Sequence, residues 1–545
     1  MTDGEGRFEF VFPPTSPAKA PDSGSAGTSV PDSGALQSVE GVPSIENPVE
    51  SADNLVQVSA SNRPYMLMAR KPGYLQDPNN PGQNLTLMPA GKEVTIPLVP
   101  EAVIKGNVDL PSSEPPDRIQ LQVFRQQVQN GRAQWVPVGG TMSKSNGEFR
   151  FADLPAGTYK LLTQELLDRD PQDFDPSGQL YGYPPVYYSN ATDFEAATPI
   201  QISAGESAEV RLSLVKQRYH RVKVTVTDVV PGTGINVNVY SQGGRGPGYA
   251  LGYNPREQAI EGLLPNGTYT VEAVSYGQTA AMGQVTLNVK GAAVEGLRMT
   301  LVPAGSINVV VREEFTSSTD NTGSMVWSNG ARKFTVKGPR RYMNVMLESA
   351  DDFGEGRGAS PRAPTGPGDE TLVLDNVAPG RYWVRVNSSR GYAASIRSGS
   401  TDLLHQALVV SPGGSAPAIE ITMRDDTAQI DGTVEGLAMP TGAIEGAVLP
   451  NSSSFSSASP AHVYCIPLPD STGDVAEVWV SPDGSFVSPP LTPGAYRLLA
   501  FDRPQPTLEY RNLEAMRAYD AKGPVVRLAG GQKEHVRLQL ISTSD

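Results

Sequence analysis

The chain has 545 residues, among them 55 glycines and 48 prolines, and only 38% hydrophobic residues, which is typical of several small β-domains joined by turns. A net charge of −14 without any Lys/Arg-rich run excludes a nucleic-acid partner, because phosphate binding requires a clustered basic face. The single cysteine, Cys465, excludes an intrachain disulfide, and no apolar run reaches the roughly 18 residues of a membrane helix.

The first 100 residues are predicted to form an incomplete β-sandwich. DGEGRFEF at Asp3 and YMLMARKPGY at Tyr65 have the pattern of strands before and after a turn, and 85–99 has that of two closing strands. Between them, 13–62 is rich in Ser, Pro, Gly and Ala, which predicts a disordered insert. Neither an opening strand nor a signal peptide precedes Asp3. We therefore expect a truncated start, with the signal peptide lost.

A phrase of the form apolar-x-x-Gly-x-Tyr, with a proline inside, then occurs four times. Its copies lie at 154–159, 264–269, 377–382 and 491–496, with glycines 110, 113 and 114 residues apart. Pro presets φ and Gly supplies positive φ, so the phrase predicts a turn between two antiparallel strands. We expect the tyrosine to bury its ring while its hydroxyl bonds to the backbone.

Each copy is followed by two strands that flank a glycine, and the next opening strand comes within a few residues. This organisation predicts β-sandwiches at 101–216, 217–304, 305–425 and 426–545, behind the incomplete one at 1–100. The linkers are short, so we expect a semi-rigid rod or curved chain. Residues 508–523 have the periodicity of a helix, closed by Gly523. The predicted fold class is all-β, a tandem array of about five Ig-like or transthyretin-like β-sandwiches, the first incomplete, with one short helix near the C-terminus.

The phrases NGEFRFADLPAGTY, PDGSFVSPPLTPGAY, ARKPGY and YPPVYYSNATDFEAATPIQISAGE resemble those of bacterial carboxypeptidase-regulatory-like domain proteins. The resemblance implies tandem transthyretin-like (prealbumin-like) β-sandwiches, which are also grouped with starch-binding or carbohydrate-binding-like folds. It implies no peptidase activity, since in metallocarboxypeptidases this domain is appended to the catalytic part.

The sequence contains none of the catalytic motifs considered. The histidines, His220, His405, His462 and His535, have neither a Glu three residues later nor another His nearby. HExxH, CxxC, GxSxG and a Gly-rich phosphate loop are also absent. We therefore predict no catalytic residues and no cofactor.

Two segments are candidate binding sites. The first is the acidic loop with Asp168, Asp170, Asp173 and Asp175, whose oxygens suit calcium, although it lacks the Gly and the closing Glu of an EF-hand. A solvated acidic loop is the preferred interpretation, so no metal site is predicted.

The second segment is YGYPPVYY, which contains Tyr181, Tyr183, Tyr187 and Tyr188. Clustered rings with nearby polar groups suit a sugar, but the preferred interpretation is that these rings cover the open edge of the sandwich and pack on it. Trp383 and Trp479 lie in strand patterns and are predicted to pack.

Three functional hypotheses follow. The preferred one is a non-enzymatic extracytoplasmic protein, secreted, periplasmic or at the cell surface, that acts as scaffold, spacer or adhesion module. The alternative is a carbohydrate-binding protein that uses the Tyr-rich loop. The third is a peptidase or glycosidase. The expected partners are a polysaccharide or a cell-surface protein.

Overall fold

A computed structural model gives the structure of most of the chain. It describes residues 65–67, 69–76, 86–88, 98–109, 118–167, 180–229, 233–241, 248–276, 280–316, 326–329, 332–350, 358–366, 368–411, 416–437 and 461–542. The predicted insert, 13–62, lies outside the described residues. The chain divides into one unit of residues 1–67 and 87–94 and a second of residues 68–86 and 95–545.

The N-terminal strands form two small sheets. They are β1 Tyr65–Leu67, β2 Tyr74–Gln76, β3 Thr86–Met88 and β4 Leu98–Pro100. Strand β1 pairs with β3, and β2 pairs with β4 in antiparallel orientation.

Four main hydrophobic cores follow among the described residues of the second unit, and each belongs to one β-module. We name the modules A (core residues between 102 and 214), B (222 to 301), C (307 to 423) and D (428 to 538). The structure is all-β with several β-domains and one short C-terminal helix, which confirms the predicted class. The predicted boundaries at 216, 304 and 425 stay predictions.

Modules A and B are built from strands β5 to β21. Those of A are β5 Ala102–Asp109, β6 Gln120–Gln129, β7 Arg132–Met142, β8 Glu148–Leu154, β9 Gly157–Thr163, β10 Leu166–Leu167, β11 Leu180–Tyr183, β12 Ile200–Ile202 and β13 Ser207–Ser213. Those of B are β14 Gln217–Thr227, β15 Gly234–Ser241, β16 Gly252–Asn254, β17 Ala259–Pro265, β18 Gly267–Tyr276, β19 Ala281–Val289, β20 Val294–Thr300 and β21 Val302–Pro303.

Modules C and D are built from strands β22 to β39 and short helical turns. Those of C are β22 Gly305–Glu314, β23 Val326–Asn329, β24 Arg332–Thr335, a 3-10 turn Gly338–Arg341, β25 Met343–Ser349, β26 Gly358–Ala359, β27 Leu372–Val377, β28 Gly380–Ser388, β29 Tyr392–Ser398, β30 Thr401–Asp402, β31 Leu408–Val410 and β32 Ile419–Arg424. Those of D are β33 Gln429–Glu435, β34 His462–Pro467, β35 Ala476–Trp479, β36 Ser485–Val487, β37 Gly494–Phe501, α1 Leu513–Met516, a 3-10 turn Arg517–Tyr519, β38 Val525–Leu528 and β39 Lys533–Ile541.

The modules share one pattern of strand pairing, which gives two sheets in A, B and C, whereas in D the pairing of β37 with β39 joins them into one seven-stranded sheet. In the first sheet, the opening strand pairs in parallel with the closing strand: β5 with β13, β14 with β20, β22 with β32, and β33 with β39. The opening strand also pairs antiparallel with the strand before the recurrent phrase, namely β8, β17, β27 or β36. The strand after the phrase lies in the second sheet, beside β6, β15, β25 or β34.

In modules A, B and C the recurrent phrase therefore connects two sheets, and in none of the four described modules do its flanking strands pair with each other, so the predicted turn between two antiparallel strands is not a hairpin turn. Strand β8 pairs with β5, whereas β9, which follows it, pairs with β6 and β12. The strands themselves are where the alternating pattern predicts them. Their partners differ because alternation assigns faces to a strand but does not select the strand beside it.

The predicted helix at 508–523 is shorter in the structure. Only Leu513–Met516 is α-helical, and Arg517–Tyr519 continues it as a 3-10 turn. Asn512 caps the start, because its side-chain oxygen accepts hydrogen bonds from the backbone N–H groups of Glu514 and Ala515. Within the described parts of the chain, no helix has the length and apolar character to span a membrane.

Candidate functional site

The four tyrosines of the recurrent phrase make the same contact in every module. Tyr159, Tyr269, Tyr382 and Tyr496 are at most 3% exposed, so each ring belongs to the core. Each hydroxyl donates a hydrogen bond to the carbonyl oxygen four residues earlier: on Pro155, Pro265, Ala378 and Thr492. This confirms the predicted role of the tyrosine. The repeated tyrosine therefore belongs to the corner at which the chain passes from one strand to the next.

The glycine of the phrase is required by the same corner. Gly157, Gly380 and Gly494 have φ between 154° and 157°, a region that side chains rarely adopt. At Gly267, a Cβ atom would lie 2.8 Å from the hydroxyl oxygen of Tyr269. Any larger residue would therefore push the tyrosine out of its place.

The predicted aromatic site is divided between surface and core. Tyr181 is 40% exposed, whereas Tyr183 and Tyr187 are 7% and 2% exposed. Tyr183 belongs to the main core of module A, and Tyr188 packs against that core from a half-buried position. Tyr187 lies in a small cluster with Phe124 and other apolar residues, where burial raises the pKa of its hydroxyl. The structure does not bring the four rings together on one surface, and sugar binding stays a prediction.

A cavity of about 540 Å³ lies beside this segment, between modules A and B. Pro184, Pro185 and Val186 of YGYPPVYY line it, together with Tyr249 and Tyr269 of module B. The four predicted tyrosines of YGYPPVYY are not part of its lining. The prolines of this segment therefore line the cavity, whereas its exposed ring, Tyr181, lies elsewhere on the surface.

The calcium candidates Asp168, Asp170, Asp173 and Asp175 lie outside the described residues. Among the residues that are described, no three His, Cys, Asp or Glu side chains are grouped so that they would hold a metal ion.

The histidines are placed separately, each with different surroundings. His405, His462 and His535 contact one carboxylate each, Asp402, Glu477 and Asp431, at 2.8, 2.9 and 2.6 Å. His220 is buried in β14, and burial lowers the pKa of its ring. His462 also stacks edge-on against Trp479, which is 63% exposed. Trp479, predicted to pack, lies on the outer face of β35, where its ring contacts His462 but stays mostly exposed.

The junction between modules A and B is a continuous sheet. Strand β11 of A pairs antiparallel with β14 of B, with Leu180 opposite Tyr219 and Gly182 opposite Gln217. A Cβ atom on Gly182 would lie 2.9 Å from the Tyr219 ring. Main-chain hydrogen bonds therefore fix the two modules to one another, in addition to the short linker.

A buried carboxyl lies at this junction. The backbone N–H of Glu165 donates to the carbonyl oxygen of Gly248 at 3.2 Å, across from A to B. Burial raises the pKa of the Glu165 carboxyl to about 7, while nearby Tyr219 and the backbone of Ala250 oppose the shift. Burial likewise raises the pKa of Tyr249 to about 12. The junction thus holds an acidic group that ionises near neutral pH.

Module A also contacts modules C and D, which are far away in sequence. The guanidinium carbon of Arg132 lies 3.7 Å from the ring centroid of Trp383 in C, in a cation–π geometry. The backbone N–H of Arg511 in D donates to the carbonyl oxygen of Gly131 at 3.1 Å. A Cβ atom on Gly131 would lie 2.6 Å from the Tyr510 ring. A straight row of modules would not produce these contacts.

Sequence reasoning missed this three-module junction. The alternation after Tyr382 places Trp383 on the opposite face of β28 from the core, and an outward Trp is a signal for a contact surface. Nothing in the pattern indicates that the hairpin turn Asn130–Gly131 is the partner of that surface, because the contact joins positions more than 200 residues apart.

Comparisons with known proteins identify no family: no family model matches the chain, and no curated protein matches it. Among solved structures, a TIE protein of Bacillus anthracis is similar, at 9% identity over 77% of this chain and 68% of that one, with a TM-score of 0.15. A streptococcal ancillary pilin shares 11% identity over 59% and 99%, with a TM-score of 0.18. A pilus adhesin of Lactobacillus rhamnosus GG shares 12% identity over 63% and 46%, with a TM-score of 0.14. TM-scores this low carry no argument about function.

Proposed function

We propose that the chain is a non-enzymatic scaffold, a carboxypeptidase-regulatory-like array of β-modules at an extracytoplasmic surface. Its role is to hold modules A to D in a fixed arrangement for spacing or adhesion. The observation that carries this proposal is that the residues repeated in every module build the corner between its sheets. The residues that differ between modules include those at the junctions.

The junctions support a fixed arrangement. The β11–β14 pairing connects A with B through the backbone, and the backbone N–H of Ala280 donates to the side-chain oxygen of Asn376 at 3.2 Å between B and C. Asn130 of A donates to Glu348 of C at 3.1 Å. Because these bonds join every pair of consecutive modules from A to C and also join A to C directly, hinge motion would break several of them together.

Distance measurement between spin labels tests this proposal. The exposed Glu209 of module A and Arg527 of module D, whose side chain is 77% exposed, are changed to cysteine and labelled, while buried Cys465 stays unlabelled. We expect one narrow distance distribution for the full chain in solution. A broad distribution would show that the modules move independently and would contradict a fixed scaffold. Cell fractionation with an antibody tests the extracytoplasmic location.

Carbohydrate binding is a second candidate, supported by the 40% exposure of the Tyr181 ring, over which the Lys216 ammonium lies at 5.7 Å. An exposed ring beside a cation offers a stacking surface for a sugar. A glycan array with the wild-type chain and Tyr181→Ala tests it. Loss of a signal in the variant supports the candidate, and an empty array for the wild type removes it.

A further inference from the structure

A cavity of about 830 Å³ lies where modules A, C and D meet. Its size falls within the usual range for pockets that bind small molecules. Apolar side chains from C and D form part of the wall, including Val384, Leu468 and Met516, together with the Tyr510 ring. The cavity therefore has an apolar surface on which the body of an organic molecule can rest.

Four arginines line the same cavity: Arg132 from A, Arg385 from C, and Arg497 and Arg511 from D. The lining contains two carboxylates, Asp474 and Asp520. Arg385 Nη1 and Arg511 Nη2 both contact Asp474, at 3.6 and 3.1 Å, so these two cations share one anion. Arg385 also pairs with Glu348 at 3.0 Å, and Arg497 pairs with Asp520 at 2.8 Å.

Arg132 remains without a carboxylate partner in the described part of the chain. Its Nη1 atom is buried and has no hydrogen-bond acceptor among these residues, and the same holds for Nε of Arg511. Burial and the neighbouring charges of Arg511 and Arg385 lower the pKa of Arg132 to about 10. The lining therefore carries four cationic and two acidic side chains, and this surplus of positive charge favours an anion in the cavity.

We propose that this cavity binds an organic oxyanion, a carboxylate or a phosphate ester on a body of about sugar size. The guanidinium of Arg132 binds the anionic group, with Arg511 and Arg497 as neighbouring donors. Planar guanidinium groups suit this role because their paired N–H donors match the oxygens of carboxylates and phosphates. The apolar wall holds the rest of the molecule. Glucuronate carries a carboxylate and glucose 6-phosphate carries a phosphate ester, whereas glucose has the same sugar ring without a charge. Comparing the three therefore shows whether the cavity requires an anionic group and which of the two it binds.

Calorimetric titration of the full chain with these three probes at low ionic strength tests the proposal. We expect glucuronate or glucose 6-phosphate to bind, glucose not to bind, and affinity to fall with added salt. Arg132→Gln should weaken binding by about tenfold or more, and Arg132→Lys should weaken it less, since it retains the charge but loses the paired donors. The exposed Arg527→Gln is the matched control and should bind as the wild type does.

Two outcomes would overturn the proposal: neither acidic probe binds to the wild-type chain, or Arg132→Gln binds as tightly as the wild type. If Arg132→Gln alters the junction, as seen in the spin-label distances, Arg497→Gln replaces it, because Arg497 lines the cavity from module D. Unchanged binding in that variant would then be the contradicting result. The scaffold proposal does not depend on any of these titrations, since it is tested by distances alone.

Discussion

The hydroxyl of Tyr382 donates a hydrogen bond to the carbonyl oxygen of Ala378 at 2.8 Å, and the ring between them is 3% exposed. The bond fixes the chain at the point where it leaves one sheet of module C for the other. Tyr382→Phe retains the ring and leaves the buried carbonyl without this donor. We expect a loss of about 1–3 kcal/mol in the stability of module C. Calorimetric unfolding measures it, with Tyr181→Phe as control, which should change stability by less than about 0.5 kcal/mol.

Substitutions at Gly131 and Gly291 distinguish the cost of a strained backbone from the cost of a steric clash. Both have positive φ, 74° and 71°, but only a Cβ atom on Gly131 would collide with the Tyr510 ring. Gly291→Ala should cost about 1 kcal/mol through its backbone alone. Gly131→Ala should in addition separate A from D and broaden the spin-label distances between positions 209 and 527. Equal distance distributions in both variants would show that Tyr510 does not hold the junction.

Gly106 allows the close approach of the first and last strands of module A. A Cβ atom on it would lie 1.9 Å from the carbonyl oxygen of Val210, so the β5–β13 pair has to shift. We expect Gly106→Ala to cost about 3 kcal/mol or more. Hydrogen exchange of the β13 amides reports this loss. Gly140→Ala is the matched control in a strand, because the nearest atom there is at 3.6 Å and the change should stay within about 1 kcal/mol.

Glu165 should make the junction of A and B less stable as the pH rises. Its pKa is raised by burial from 4.5 to about 7, so the folded state binds more protons than the unfolded state between these values. Stability therefore falls through this range, by up to about 3 kcal/mol above pH 7. Glu165→Gln removes the ionisation and should equal the wild type near pH 4 but exceed it near pH 8. Melting curves of the wild type and Glu165→Gln at both pH values measure this, with Glu209→Gln as a control for the removal of a charge. The same difference in stability between variant and wild type at pH 4 and at pH 8 would refute the prediction.

Cys465 should be unreactive in the folded protein. Its side chain is fully buried in module D, and burial raises the pKa of the thiol to about 12, so little thiolate is present at neutral pH. A colourless disulfide reagent that releases a coloured thiol should react with the chain only after denaturation. Tyr496→Phe, which weakens the corner of the same module, should increase the rate of labelling under native conditions. Rapid labelling of the wild type would contradict the burial of this thiol.

The sequence was sufficient for local features whose cause is local. The corner is an example: Leu154, Pro155, Gly157 and Tyr159 define the turn, and the tyrosine bonds to its own neighbouring backbone. The strand on either side follows from alternation. The all-β class and the short C-terminal helix follow in the same way, although Asn512 starts the helix later than the periodicity indicates.

Features that depend on distant residues were not predictable. The pattern around Gly157 does not indicate that β8 and β9 enter different sheets, because that choice depends on where β5 and β6 lie. The contact of Arg132 with Trp383 depends on the orientation of whole modules. Even Tyr187, one of the candidate ligand-binding rings, is buried by Phe124 of strand β6, which is far away in sequence.

The parallel pairing of first and last strands determines how a module responds to tension. In module A the register runs from Val103 opposite Ser207 to Asp109 opposite Ser213, so the chain enters at one end of the pair and leaves at the other. Pulling on the two ends makes these strands slide along each other. The backbone hydrogen bonds between them are then loaded in shear and must break together. An antiparallel pair pulled from adjacent ends would open one bond at a time. Modules with this arrangement resist stretching along the chain.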